Sequence, residues 1–116
     1  MKNQSKEALL AYAEDVKKKH KIDEVHVIIL PDPEDPNQDD PEKFVACYLK
    51  RPKRAIISAA LTHQTNGQLV QGAEIVIENT WIEGDERIKT NDKLFFGAAQ
   101  VAYSIIDIAS AEIVKK

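Results

Sequence analysis

The stretch Glu24–Arg51, E-V-H-V-I-I-L-P-D-P-E-D-P-N-Q-D-D-P-E-K-F-V-A-C-Y-L-K-R, decides the fold. Its opening, Glu24 to Leu30, is short and rich in β-branched residues, the composition of a strand. Val25, Val27 and Ile29 alternate with His26, Ile28 and Leu30, so both faces are largely apolar and the strand is expected to be covered on both sides. Lys43 to Arg51 is a second strand, with Phe44, Ala46 and Tyr48 opposed to Val45, Cys47 and Leu49. Between them, Pro31 to Glu42 holds four prolines, six carboxylates and no basic side chain. Proline removes backbone donors and like charges repel, so neither helix nor strand propagates there. The pair therefore reads as a two-stranded antiparallel hairpin with a long, mobile acidic loop over 31–42 that adds little to folding. Two strands are unstable alone, so helices must cover them or another chain must extend them.

Helical periods flank the hairpin. Leu9, Ala13, Val16 and His20 share one stripe of a helix over 5–20. Ser5 caps its start, and Lys17, Lys18, Lys19 and Lys21 complement the dipole at its end. Pro52 stops the second strand and fits the first position of a helix over 52–64, which carries Ile56, Ala59, Ala60 and His63 on one side and closes at Asn66-Gly67. Leu69, Ala73, Val76 and Thr80 mark a third helix over 68–81, weakened by Gly72. A loop over 82–89 turns at Gly84-Asp85, and Thr90 caps a long final helix. Leu94, Ala98, Val101, Ile105, Ile108 and Glu112 set its stripe, widened by Phe95, Ala102, Ile106, Ala109 and Ile113. Helix, hairpin and three helices without βαβ alternation make an α+β pattern.

The 116 residues suit one domain over 1–116, and 43% apolar with 30% charged residues is an ordinary globular balance. A net charge of −3 gives no overall field toward nucleic acid or anionic lipid. Cys47 stands alone, so no intramolecular disulfide is possible and a reducing cytoplasm is the natural compartment. No apolar run approaches the roughly 20 residues of a membrane span, and the N-terminus lacks the apolar stretch of a secretory signal.

The chemistry-bearing residues are sparse. His20 closes a helix among lysines, His26 lies in a strand and His63 sits late in a small-residue helix, none beside a nucleophile in sequence. Cys47, mid-strand, reads as a buried inert thiol. The acids of the loop lack the Asp-x-Asp-x-Asp-Gly spacing and closing Glu of a calcium loop. No glycine cluster exists to cradle phosphate. No catalytic residue, metal or cofactor is expected. Lys50, Arg51, Lys53 and Arg54 form the one basic patch suited to nucleic acid, with Phe44 and Tyr48 as a stacking surface; the reading preferred is that the preceding acidic loop neutralises it. Phe96, Tyr103 and Ile106 recur at i, i+7 and i+10 of the final helix and are expected to form a sticky side for self-association or a client.

From Phe44 to Ile108 the chain resembles the small tail assembly chaperones of long-tailed bacteriophages and prophages. The motifs are F-V-A-C-Y-L-K-R-P running into K-R-A-I-I-S-A-A, then E-I-V-I-E-N-T-W-I-E-G-D-E-R-I at Glu74–Ile88 and D-K-L-F-F-G-A-A at Asp92–Ala99. The resemblance implies a non-enzymatic role in the bacterial cytoplasm: binding the aggregation-prone tape-measure protein and helping recruit tail-tube subunits. It makes Trp81, Ile82, Asp85, Glu86 and Arg87 candidate client contacts, with Trp81 also readable as core. The runner-up is a small nucleic-acid-associated or regulatory module acting through Lys50 to Arg54.

Overall fold

The computed structural model describes residues 5–106. Ser5 opens α1 (Lys6–His20) by accepting the Ala8 N–H at 3.2 Å, and Lys21 closes it in a left-handed conformation at φ 54°. β1 (His26–Pro31) runs antiparallel to β2 (Phe44–Leu49), in register from His26 opposite Leu49 to Pro31 opposite Phe44. α2 (Arg54–Thr65) and α3 (Leu69–Thr80) form an antiparallel pair, turned by Gly67 at φ 76°. β3 (Trp81–Gly84), α4 (Arg87–Thr90), α5 (Asp92–Ala102) and a 3-10 turn, Tyr103–Ile105, complete the order. The architecture is α+β.

The sheet is sandwiched between helices. On one face Ile28, Val45, Cys47 and Leu49 pack with Ala60, Ala73, Val76, Ile77, Leu94 and Ala98 of α2, α3 and α5. On the other, Ala46 and Tyr48 pack with Leu9 and Val16 of α1, beside Val27 and Ile29. Both faces of β1 are thus covered, as its two-sided apolar pattern requires. Tyr48 is fully buried, donates its hydroxyl to the Leu9 carbonyl and meets the Tyr12 ring edge-on at 5.4 Å. Cys47 is also fully buried, and burial pushes its thiol up to about 12, so it is inert at neutral pH.

Several expectations need correction. The hairpin is the larger part of a three-stranded sheet ordered β1-β2-β3, because Trp81–Gly84 pairs with β2, against the expectation that Trp81 closes the third helix and residues 82–84 belong to a loop. α2 begins at Arg54, after a buried Pro52, and Asn91 caps α5 by accepting the Leu94 N–H at 3.1 Å, whereas Thr90 ends α4. α5 stops at Ala102, so the long final helix is cut short; Ile105 and Ile106 turn into the core instead of continuing the stripe. Ile108, Ala109, Glu112 and Ile113 lie outside the described residues.

The acidic segment is a loop beyond Pro31, as its composition demands, yet two of its carboxylates are structural. Asp32 is fully buried and accepts the Glu34 N–H at 2.9 Å. Asp35 accepts the N–H groups of Asn37, Glu42 and Lys43, each at 2.9 Å, and those bonds to Asn37 and Lys43 hold its carboxyl below the usual range. The Gln38 amide donates to the carbonyls of Asp32 and Asp35 at 2.8 and 2.7 Å. These bonds make the loop a contributor to folding, contrary to the expectation from composition.

Candidate functional site

The turn after β3 is organised by charge. Arg87 donates to Asp85 from Nη2 at 2.7 Å and from Nε at 3.1 Å. The same guanidinium reaches Asp32 of the acidic loop at 3.3 and 3.4 Å. Burial pushes the Asp85 carboxyl up, but the Arg87 hydrogen bonds outweigh it and leave it below its ordinary value. Asp85 is buried and Arg87 is paired with Asp85, Asp32 and, at 3.9 Å, Glu34, so neither offers a free contact to a client, against the expectation for both. Glu86 is exposed. Trp81 and Ile82 are half-buried: Trp81 leans on the larger core beneath the Lys89 ammonium, 4.1 Å from its ring centre, and Ile82 packs toward α1.

A bulge explains the division of β3. Leu49 opposes Trp81 and Tyr48 opposes Glu83, so Ile82 is an extra residue. The shift lets both Ile82 and Glu83 serve the α1 face. There Glu83 accepts from Tyr12 at 2.7 Å and meets His20 and Lys19 at 2.9 and 3.2 Å. Burial pushes the Glu83 carboxyl up, yet Tyr12, His20 and Lys19 hold it below its ordinary value. This cluster fastens α1 to the sheet edge. His26 pairs with Glu24 and His63 with Gln68, so the three histidines are scattered over the fold. Among the described residues no three His, Cys, Asp or Glu side chains converge as metal ligands.

A groove of about 550 Å³ lies where α3 begins beside α5, lined by the apolar side chains of Leu69, Val70, Phe96 and Ala99 and by Tyr103, Gln64 and Gln100. Phe96 is 53% exposed, Leu69 54% and Val70 41%. Its floor depends on Gly72: a Cβ there would lie 2.0 Å from the Tyr103 hydroxyl oxygen and 2.9 Å from the Ala60 carbonyl. The gap admits Tyr103, which donates to the Leu69 carbonyl at 3.0 Å. Phe96 and Tyr103 therefore share the expected surface. Ile106 does not; at 8% exposure it is core, because the helix that would have carried it to that side ends at Ala102.

Lys50, Arg51, Lys53 and Arg54 are exposed, and among the described residues none forms an ion pair. The acidic loop does not neutralise them. It joins Pro31 to Phe44, whereas the basic run follows Leu49, so the length of β2, roughly 17 Å, separates the two. No helix among the described residues is long and apolar enough to cross a membrane.

No family model, curated protein or solved structure matches the chain. Leu69 falls on the apolar stripe of the third helix and Val70 flanks it, so neither is legible in the sequence as a surface residue.

Proposed function

We propose that this chain is a non-enzymatic phage or prophage tail assembly chaperone in the cytoplasm of the bacterial host, shielding an apolar segment of the tape-measure protein and helping recruit tail-tube subunits. The observation that carries this reading is the groove of Leu69, Val70 and Phe96, three large apolar side chains held 41–54% exposed on neighbouring helices. Such a patch is unfavourable in water and becomes favourable when a client segment covers it. The order of motifs from Phe44 to Ala99 supports the same reading. No cofactor enters it. Trp81, Ile82 and Glu86, on β3 and the turn after it, stay in the proposal as client contacts separate from the groove.

Phe96→Glu should leave the melting temperature nearly unchanged, because the ring is exposed. It should weaken capture of the tape-measure protein by at least roughly tenfold, the scale of losing one aromatic anchor. Co-expression of the two proteins, followed by affinity purification and titration of the complex, measures this. A client held equally by wild type and variant, or by neither, removes the groove from the proposal. Binding through the groove should also change little between low and physiological salt, since apolar burial is not screened.

A further inference from the structure

We propose that copies of this chain associate head to tail, the acidic loop of one seated against the basic end of the next. Two basic runs that are remote in sequence meet at one end of the sheet. Lys17–Lys21 closes α1, and Lys50–Arg54 leads from β2 into α2. Lys21, Lys50 and Arg51 line one cleft together with Asp23 and Glu24. Residues 17–24 and 50–54 hold eight lysines and arginines against two carboxylates. Among the described residues Lys18, Lys21, Lys50, Arg51, Lys53 and Arg54 form no ion pair.

The opposite end carries the complement. Residues 31–42 hold six carboxylates and no cation, matching the basic excess. Asp32 and Asp35 are used within the fold, while Glu34, which meets Arg87 at 3.9 Å, and Asp39, Asp40 and Glu42 are exposed. The antiparallel register keeps the two ends apart within one molecule. Between molecules nothing keeps them apart. The partner chosen is a second copy rather than a phosphate backbone because of the carboxylates in the cleft: Asp23 and Glu24 would repel phosphates, whereas exposed Lys43 at the base of the loop gives them an opposite charge. The two surfaces differ, so the contact is heterologous and builds chains or rings rather than a closed pair. This inference is independent of the groove and of any client.

Sedimentation velocity on the full chain, over a concentration series at 20 and 500 mM NaCl, tests it. The wild type should associate at low salt and weaken by more than roughly tenfold at high salt, because exposed charges are screened within about a Debye length. R51E/R54E cuts the basic end from a net +6 to +2 and E34K/D39K/D40K brings the loop from −6 to 0, so each alone should lose most of the association, while an equimolar mixture restores one intact +6 to −6 contact and should associate again. The exposure of all five positions leaves the fold in place, which the melting curve of each variant checks. A wild type that stays monomeric at low salt overturns the proposal. So does a monomer that instead binds a 20-nucleotide single strand in a salt-dependent way, which would assign the basic end to a polyanion. Association that survives 500 mM salt and disappears in Phe96→Glu would assign it to the apolar groove and would also overturn this inference.

Discussion

Replacing Arg87 by alanine should lower stability at neutral pH by about 2–4 kcal/mol, somewhat below the usual loss from a fully buried pair because the guanidinium is one-third exposed. Asp32 is fully buried and Asp85 nearly so, and one planar fork satisfies both. Without it two carboxylates remain in a poorly hydrated site, and the acidic loop loses its tie to the turn after β3. Arg87→Lys should recover only part of the loss, since a single ammonium cannot span both acids. Acidification carries a signature of its own. Asp85 is depressed in the folded state, so its contribution is present above its unfolded value near 4 and fades as pH falls through the lower folded one. In Arg87→Ala the depressing partner is gone and burial remains, so the Asp85 carboxyl should take up a proton more readily. The deficit of the variant should shrink as pH falls toward about 4. Urea denaturation between pH 4 and 7 measures both effects; a deficit under about 0.5 kcal/mol at pH 7 would mean that water, not Arg87, satisfies Asp32.

The features legible in the sequence are those with local causes. Period-two alternation in Val25–Leu30 and Phe44–Leu49 marks both strands and their shared faces, and Ser5 announces the start of α1 through the bond it makes to Ala8. Gly67 announces the turn between α2 and α3 because its backbone needs a positive φ. What was not legible depends on partners far along the chain. Asp32 and Arg87 are 55 residues apart, and composition makes Asp32 indistinguishable from Asp39 in the same acidic run. β3 has four residues, too few for a period, and joins α3 without a breaking residue. Gly72 looks like a weak point of a helix until Tyr103 arrives over it. The stripe of the final helix continues in sequence past Ala102, but Ile105 and Ile106 leave the helix for the core, and packing overrides periodicity. Tyr103, the first residue past α5, closes the groove by donating to the Leu69 carbonyl.

Gly84→Ala should be strongly damaging for a single added methyl. A Cβ at Gly84 would stand 2.7 Å from both Cα and Cβ of Cys47 and 2.9 Å from the Trp81 ring. Cys47 belongs to the central strand, paired on one side with Ile28 and on the other with Gly84 itself, so its backbone cannot retreat without opening the β1–β2 ladder. The added methyl must therefore push β3 away. That movement strains the Asp85 N–H bond to the Ala46 carbonyl, 3.0 Å long, and displaces the turn that aims Arg87 at Asp32. Overpacking against backbone of this kind costs about 1–3 kcal/mol, and the coupled turn adds to it. Gly67→Ala supplies the comparison: its cost is conformational, about 1–2 kcal/mol at a left-handed position, and its Cβ would meet nothing within 4 Å. Thermal unfolding should drop by about 10 °C or more for Gly84→Ala and by roughly half that for Gly67→Ala. A thiol reagent adds a local reading, because Cys47 is fully buried in the wild type and should label faster once β3 lifts. Equal losses at the two glycines, with Cys47 still protected in Gly84→Ala, would show that β3 does not press on the central strand.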